Sequence, residues 1–398
     1  MSLPTAQGLR ECAARLGCIV ITPAGRGGSM LVQSLLDGHP ELAVFPDVPL
    51  GWDYFDGFVA SGRDIGRWLD ANPQVLDSRS GFGDSGGTLA EVLCNEAKSR
   101  RPILLSAFSH IAAALGGHGA LDSRGFMAAL AMAWAASGGQ DLERLQFLVF
   151  HHHNNRRVVA DLPRILADFP RLRVLVTCRH PIESALSFKT LDVRNGEASF
   201  RNFSRNVRGW SVKAFTNVFD LQPLLSASDQ LRLIDLGDLH IRQQGLLAHM
   251  CDWLGLGFDG SLLQATVAGH PWMGNSADGR PIATFDPIRA RLLYPTTLGM
   301  DKGLDADEYR FTRYFTHKLL EPFGYDDPLA SQVPEAGLMA FAMIAVRRME
   351  WLVPGTISHD RGLKRWLRRL GWTELLLVAA QLWKFGAVNP VALRQLRL

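Results

Sequence analysis

Gly17-Cys-Ile-Val-Ile-Thr-Pro-Ala-Gly-Arg-Gly-Gly-Ser-Met30 is one of two stretches that decide the fold of this 398-residue chain. The other is Arg173-Val-Leu-Val-Thr-Cys-Arg-His-Pro-Ile-Glu-Ser-Ala-Leu-Ser187. Each opens as a short apolar run with strand character. Each then meets a polar turn holding an Arg and small residues, and continues into helical sequence. In a parallel α/β protein such a unit builds an anion site. The strand aims the turn, glycines let backbone N–H groups approach the ligand, and the helix N-terminus adds partial positive charge. Two such units suit a ligand with two separate anionic groups.

Further strands are expected at Ile103–Ser106, Gln146–Phe150 and Arg232–Asp235, beside Cys18–Thr22 and Arg173–Thr177. Helices are expected over Ser29–Asp37, Pro181–Lys189, Ala198–Asp220 and Ile241–Trp253. Apolar runs alternating with helices predict a mostly parallel sheet covered on both faces, an α/β three-layer sandwich. Residues 47–87 are rich in Gly, Asp and aromatic side chains, among them Trp52, Tyr54, Phe55, Phe58 and Trp68. They read either as an irregular cap over the core or as part of an acceptor cleft.

The two units together resemble the sulfotransferases that use 3′-phosphoadenosine 5′-phosphosulfate. Pro23-Ala-Gly-Arg-Gly-Gly-Ser-Met30 aligns with that family's 5′-phosphosulfate loop, with Arg26 on the basic position, Gly28 on the glycine and Ser29 on a hydroxyl. Pro23, Gly27 and Met30 depart from its pattern. Arg179, Pro181 and Ser187 match its Arg-x-Pro element with a Ser eight residues after the Arg. A third match runs from Leu231–Leu239 through Trp253-Leu-Gly-Leu256 to Trp272-Met-Gly-Asn-Ser276, and Phe323-Gly-Tyr325 resembles the family's end. The resemblance implies a P-loop-like phosphosulfate loop and residues 1–330 as a catalytic domain. It also implies sulfuryl transfer from that nucleotide, without a metal, to a hydroxyl or amine of a glycan, lipid or small molecule.

It further implies site residues. Arg26 neutralises the leaving group. Gly25, Gly27, Gly28, Ser29 and Met30 line the 5′ loop. Arg179 and Ser187 hold the 3′-phosphate, and Asn275 and Ser276 close over the nucleotide. The catalytic base is expected among His151, His152 and His153, because a neutral imidazole past a strand end suits proton abstraction near pH 7. Asp47 and His110 are the rivals. A divergent nucleotide-dependent kinase is an alternative, although no Gly-x-x-x-x-Gly-Lys-(Ser/Thr) is present. A second alternative is an inactive membrane-surface protein on the same fold.

Composition sets outer bounds. The chain is 47% hydrophobic with net charge +3. Its five cysteines are scattered without a Cys-x-x-Cys pair, which predicts a reduced, cytoplasmic protein. Residues 347–398 hold ten Lys or Arg against three Asp or Glu, so the preceding chain is mildly acidic. That distribution argues against nucleic acid as a partner. Residues 331–398 read as a basic amphipathic helical extension. Its 361–385 stretch suits peripheral membrane contact or, alternatively, docking and homo-oligomerisation.

Overall fold

The computed structural model describes residues 3–24, 27–49, 53–75, 88–152, 155–197, 199–207, 218, 220–221, 228–272, 303–320, 324–325 and 397–398. The strands are β1 (Gly17–Pro23), β2 (Leu42–Pro49), β3 (Phe147–His151), β4 (Leu172–Cys178) and β5 (Leu231–Asp235), with a hairpin of β6 (Thr266–Val267) and β7 (His270–Pro271). The helices used below are α1 (Ala6–Arg15), α2 (Ser29–Leu36), α3 (Asp53–Ala60), α4 (Ile65–Ala71), α5 (Thr88–Ala114), α6 (Ser123–Ser137), α7 (Asn155–Asp168), α8 (Pro181–Arg194), α9 (Phe200–Asn206), α10 (Leu236–Ile241), α11 (Gln243–Leu254) and α12 (Ala306–Leu320).

The five long strands form one sheet in the order β2-β3-β1-β4-β5, and every pairing is parallel. All seven residues of β1 are buried, as a central strand covered on both faces requires. The α/β architecture expected from the alternating pattern is therefore the one observed. Among the five strands, β1 alone connects leftward in this order; β3 and β4 connect to the right. Right-handed crossovers then put α2 on the face opposite α7 and α8, which opens a crevice at the carboxyl end of β1.

Ile103–Ser106, expected as a strand, lies inside α5. The physical reason is its periodicity. Leu104, Ala107, Phe108 and Ile111 are buried at spacings of three and four, whereas Ile103 is 47% exposed. The fifth strand is β2, and Asp47 lies within it. Part of the expected 198–220 helix is α9, and the expected 241–253 helix is α11, with the separate short α10 before it.

The aromatic segment after β2 is mostly helical where it is described. Phe58 of α3 stacks on Phe126 of α6 at 4.5 Å, and Trp68 of α4 meets the same ring edge-on at 5.2 Å. Both side chains are fully buried, so they serve as core rather than as an open cleft. Trp52 lies outside the described residues. Asp37, at the end of α2, accepts bonds from Thr266 Oγ1 (2.7 Å) and Gly269 N (2.9 Å). This anchors the β6–β7 hairpin on α2. Residues 326–396, which hold most of the expected extension, lie outside the described residues. Arg397 pairs in parallel with Leu233 beside β5, and Leu398 N donates to Leu233 O.

β1 and β4 approach closely beyond their paired residues. Ala24 N donates to Thr177 O at 2.7 Å. A Cβ on Gly27 would lie 2.3 Å from Thr177 O and 2.9 Å from Cys178 Cα. Neither obstacle is the end of a flexible side chain, so the backbones must move apart if a methyl group is added. Gly27→Ala is therefore expected to destabilise the protein by about 1–3 kcal/mol, as overpacking does. Thermal unfolding checks this; an unchanged midpoint would contradict the packing.

Candidate functional site

The first turn continues from β1. Gly28 has φ +81° and precedes α2 as its N-cap, a conformation that favours glycine. A Cβ there would also strike Leu236 Cδ1 at 2.6 Å. The helix starts at once, with Val32 N donating to Gly28 O. No acidic residue sits in its first turn, so its positive end is not compensated from within. Ser29 is the first helical residue and is buried, but Gly28 rather than Ser29 caps the helix. Met30 is buried and belongs to the hydrophobic core. Gly25 and Arg26 lie outside the described residues.

The second turn follows β4. His180 caps α8, its Nδ1 accepting from Ile182 N at 3.2 Å, and Pro181 takes the first helical position. Arg179 is buried, and its Nε donates to Glu183 Oε2 at 2.9 Å. Among the described residues, its Nη1 and Nη2 take no protein partner. Those two nitrogens form a planar fork that suits two oxygens of one phosphate. Ser187 lies two turns along α8 and is half-buried. Burial raises the Glu183 carboxyl above its ordinary 4.5, against the lowering effect of Arg179.

A buried polar cluster backs this turn. Tyr325 packs its ring edge-on to His180 at 5.1 Å, and its hydroxyl donates to Asp235 Oδ2 and lies 3.4 Å from Cys178 Sγ. Asp235 closes β5 and caps α10 through Asp238 N at 3.0 Å. Arg397 pairs with Asp235 (3.5 Å) and Asp238 (3.1 Å) and lies over the Tyr325 ring. Burial pushes the Cys178 thiol up to about 12, so Cys178 packs rather than reacts.

The histidines sit on the other side of β1. His151 ends β3 opposite Ile21, and His152 N donates to Ile21 O at 2.8 Å. They are 1% and 3% exposed, at the same carboxyl edge as the Gly27–Gly28 turn. His153 lies outside the described residues, as do Asn275 and Ser276. His110 is exposed on α5, in helix rather than after a strand. The Asp47 side chain lies outside the described residues. Among the described residues, no group of three His, Cys, Asp or Glu side chains is arranged to hold a metal ion, and no helix is long and apolar enough to cross a membrane.

The sequence pattern singled out Gly27, Gly28, Arg179, His151 and His152, which lie at or just past the carboxyl ends of β1, β4 and β3, and Ser29, which opens α2. It did not single out Glu183, Asp235 or Tyr325. Glu183 carried a signal, since it stands four residues after Arg179 on a predicted helix. Asp235 and Tyr325 meet across ninety positions, which no local pattern reveals.

No family model and no curated protein matches this chain. Solved structures are similar to it. The Sulfotransferase Domain from the Curacin Biosynthetic Pathway is 18% identical over 79% of this chain and 99% of its own, with TM-score 0.43. The Sulfotransferase Domain from the Synechococcus PCC 7002 Olefin Synthase is 20% identical over 78% of this chain and 95% of its own, with TM-score 0.42.

The raised Glu183 carboxyl predicts a pH signature. A carboxyl whose folded pKa is raised contributes stability that is full below its unfolded value and is lost as pH rises through the folded value. The stability of wild type relative to Glu183→Gln should therefore be greatest below pH 4.5 and fall as pH rises above it. Paired melting curves across that range check the sign; a difference that grows with pH would contradict it.

Proposed function

We propose that this protein transfers a sulfuryl group from 3′-phosphoadenosine 5′-phosphosulfate to a hydroxyl or amine. The observation that carries the reading is the contact of Gly27 with Thr177 and Cys178. It brings the two turns side by side, one at the start of α2 and one holding the Arg179 fork, and supports reading them as two anion sites. A nucleotide with phosphate groups at its 5′ and 3′ ends matches that pair, whereas a single-phosphate ligand leaves one turn idle.

The roles follow from position. The backbone of Gly27 and Gly28 and the positive end of α2 face the 5′ group, and Ser29 adds a hydroxyl there. In this reading Gly25 completes the loop, and Arg26 sits beside the bridging oxygen, where negative charge grows as the sulfuryl group leaves. Arg stays charged and spans two oxygens, so no metal is required for that neutralisation. Arg179 and Ser187 take the 3′-phosphate, and Asn275 and Ser276 close over the nucleotide. The nucleotide supplies an activated sulfuryl group; the chain supplies in-line positioning and charge.

The acceptor proton goes to a histidine at the end of β3. His151 and His152 are supported by their place beside β1, and His153 continues the same segment. Met30, which packs in the core, supplies no hydroxyl for a metal-bound triphosphate, and this favours the sulfuryl reading over a kinase. The acceptor can be a glycan, a lipid or a small metabolite, and the 361–385 segment suits one held near a membrane.

Calorimetric titration with adenosine 3′,5′-bisphosphate, the expected product, tests the reading. Wild type should bind at micromolar concentration. Arg179→Ala should weaken binding by at least about tenfold, the loss of one charge-assisted fork. Arg26→Ala should instead lower turnover by about 10²-fold with a smaller effect on product affinity, as removal of a transition-state donor does. Absence of binding to folded wild type would overturn the proposal.

A further inference from the structure

We infer that Glu183 is a positioning residue that aims the Arg179 guanidinium at the 3′-phosphate of the bound nucleotide. The inference rests on the reading of Arg179 given above and adds a residue that reading does not use.

The geometry is specific. Arg179 is the first residue past β4, and Glu183 lies one turn into α8, so their side chains meet at the i, i+4 spacing. The bond runs from Nε, at 2.9 Å, with the two side chains only 10% and 8% exposed. A guanidinium is planar, so fixing Nε in a rigid first turn fixes the plane as a whole. Glu183 occupies the inner edge of the fork. The outer edge, Nη1 and Nη2, is the part with no protein partner among the described residues.

Two blander roles fit less well. Stability is a weak reason for a buried ion pair, because desolvation offsets the attraction. Burial indeed makes the Glu183 carboxyl harder to ionise than in water, so the pair is held at a cost. Dipole compensation at the start of α8 would need only an exposed acid, not one turned inward onto Arg179. The other nearby carboxylate, Asp235, is engaged by Tyr325, Arg397 and Asp238 N. Glu183 is therefore the carboxylate that orients Arg179 among the described residues.

Positioning and charge predict opposite signs. A carboxylate against Arg179 cancels part of its charge, so simple electrostatics makes Glu183→Ala bind an anion more tightly. Loss of aim makes it bind more weakly. The test is calorimetric titration of wild type, Glu183→Ala and Glu183→Gln with adenosine 3′,5′-bisphosphate and with adenosine 5′-phosphate. Glu183→Ala should lose about tenfold in affinity for the bisphosphate, the scale of one charged hydrogen bond, and keep its affinity for the monophosphate. Glu183→Gln retains an acceptor for Nε and should restore most of the bisphosphate affinity. Where Glu183→Ala does not fold, Glu183→Asp, whose carboxylate is withdrawn by one methylene, should show the same selective loss. Tighter bisphosphate binding, an equal loss for both nucleotides, or failure of Gln to rescue would overturn the inference. If wild type itself does not prefer the bisphosphate, the reading of Arg179 fails first and the role of Glu183 falls with it.

Discussion

The backbone contact between Gly27 and the end of β4 is the constraint on which the rest of the site depends. Parallel pairing of β1 with β4 runs through Pro23 and Thr177, and Ala24 N extends it. At Gly27 the chain must turn into α2 while pressed on Thr177 O and Cys178 Cα. Only a residue without a side chain fits there. The next residue takes a left-handed conformation against Leu236, which again selects glycine. The departure of Gly27 from the resembled pattern thus has a local steric reason. The contact places the turn after β1 next to Arg179, the first residue beyond β4.

Charge around these turns is arranged in buried pairs. Arg179 pairs with Glu183, and Arg397 with Asp235, while Tyr325 closes the gap by donating to Asp235. Each pair is nearly neutral in total, which limits the desolvation cost of the cluster. The cluster is polar enough to hold β4, β5, α8 and α10 in fixed relation at the sheet's carboxyl edge. Hydrophobic packing does the same work at the other side of β1. There Phe45 stacks on Phe150 at 5.7 Å, and Trp134 Nε1 donates to Val44 O. The histidines at the end of β3 therefore emerge from a tightly packed layer.

Much of this was legible in the chain itself. The strands β1, β3, β4 and β5 are short runs of Val, Ile, Leu and Phe, and each appeared within a residue or two of its observed bounds. The turns after β1 and β4 announced themselves through Gly-Arg-Gly-Gly and Arg-His-Pro. The segment 103–106 misled because Ile, Leu and Leu in a row look like a strand. Its burial follows the longer helical stripe through Ile111 instead. The polar cluster was hidden for a different reason. Asp235, Tyr325 and Arg397 are distant in sequence, and only the ordering of β4 and β5 and the path of the chain's end bring them together.

A crystal structure of the protein with adenosine 3′,5′-bisphosphate tests most directly whether the two turns serve one ligand. The account predicts the 5′-phosphate over Gly27 and Gly28 at the start of α2, and the 3′-phosphate on Nη1 and Nη2 of Arg179, with Glu183 still on Nε. A nucleotide bound elsewhere, or one that reaches only one turn while Arg179 faces away, would contradict it.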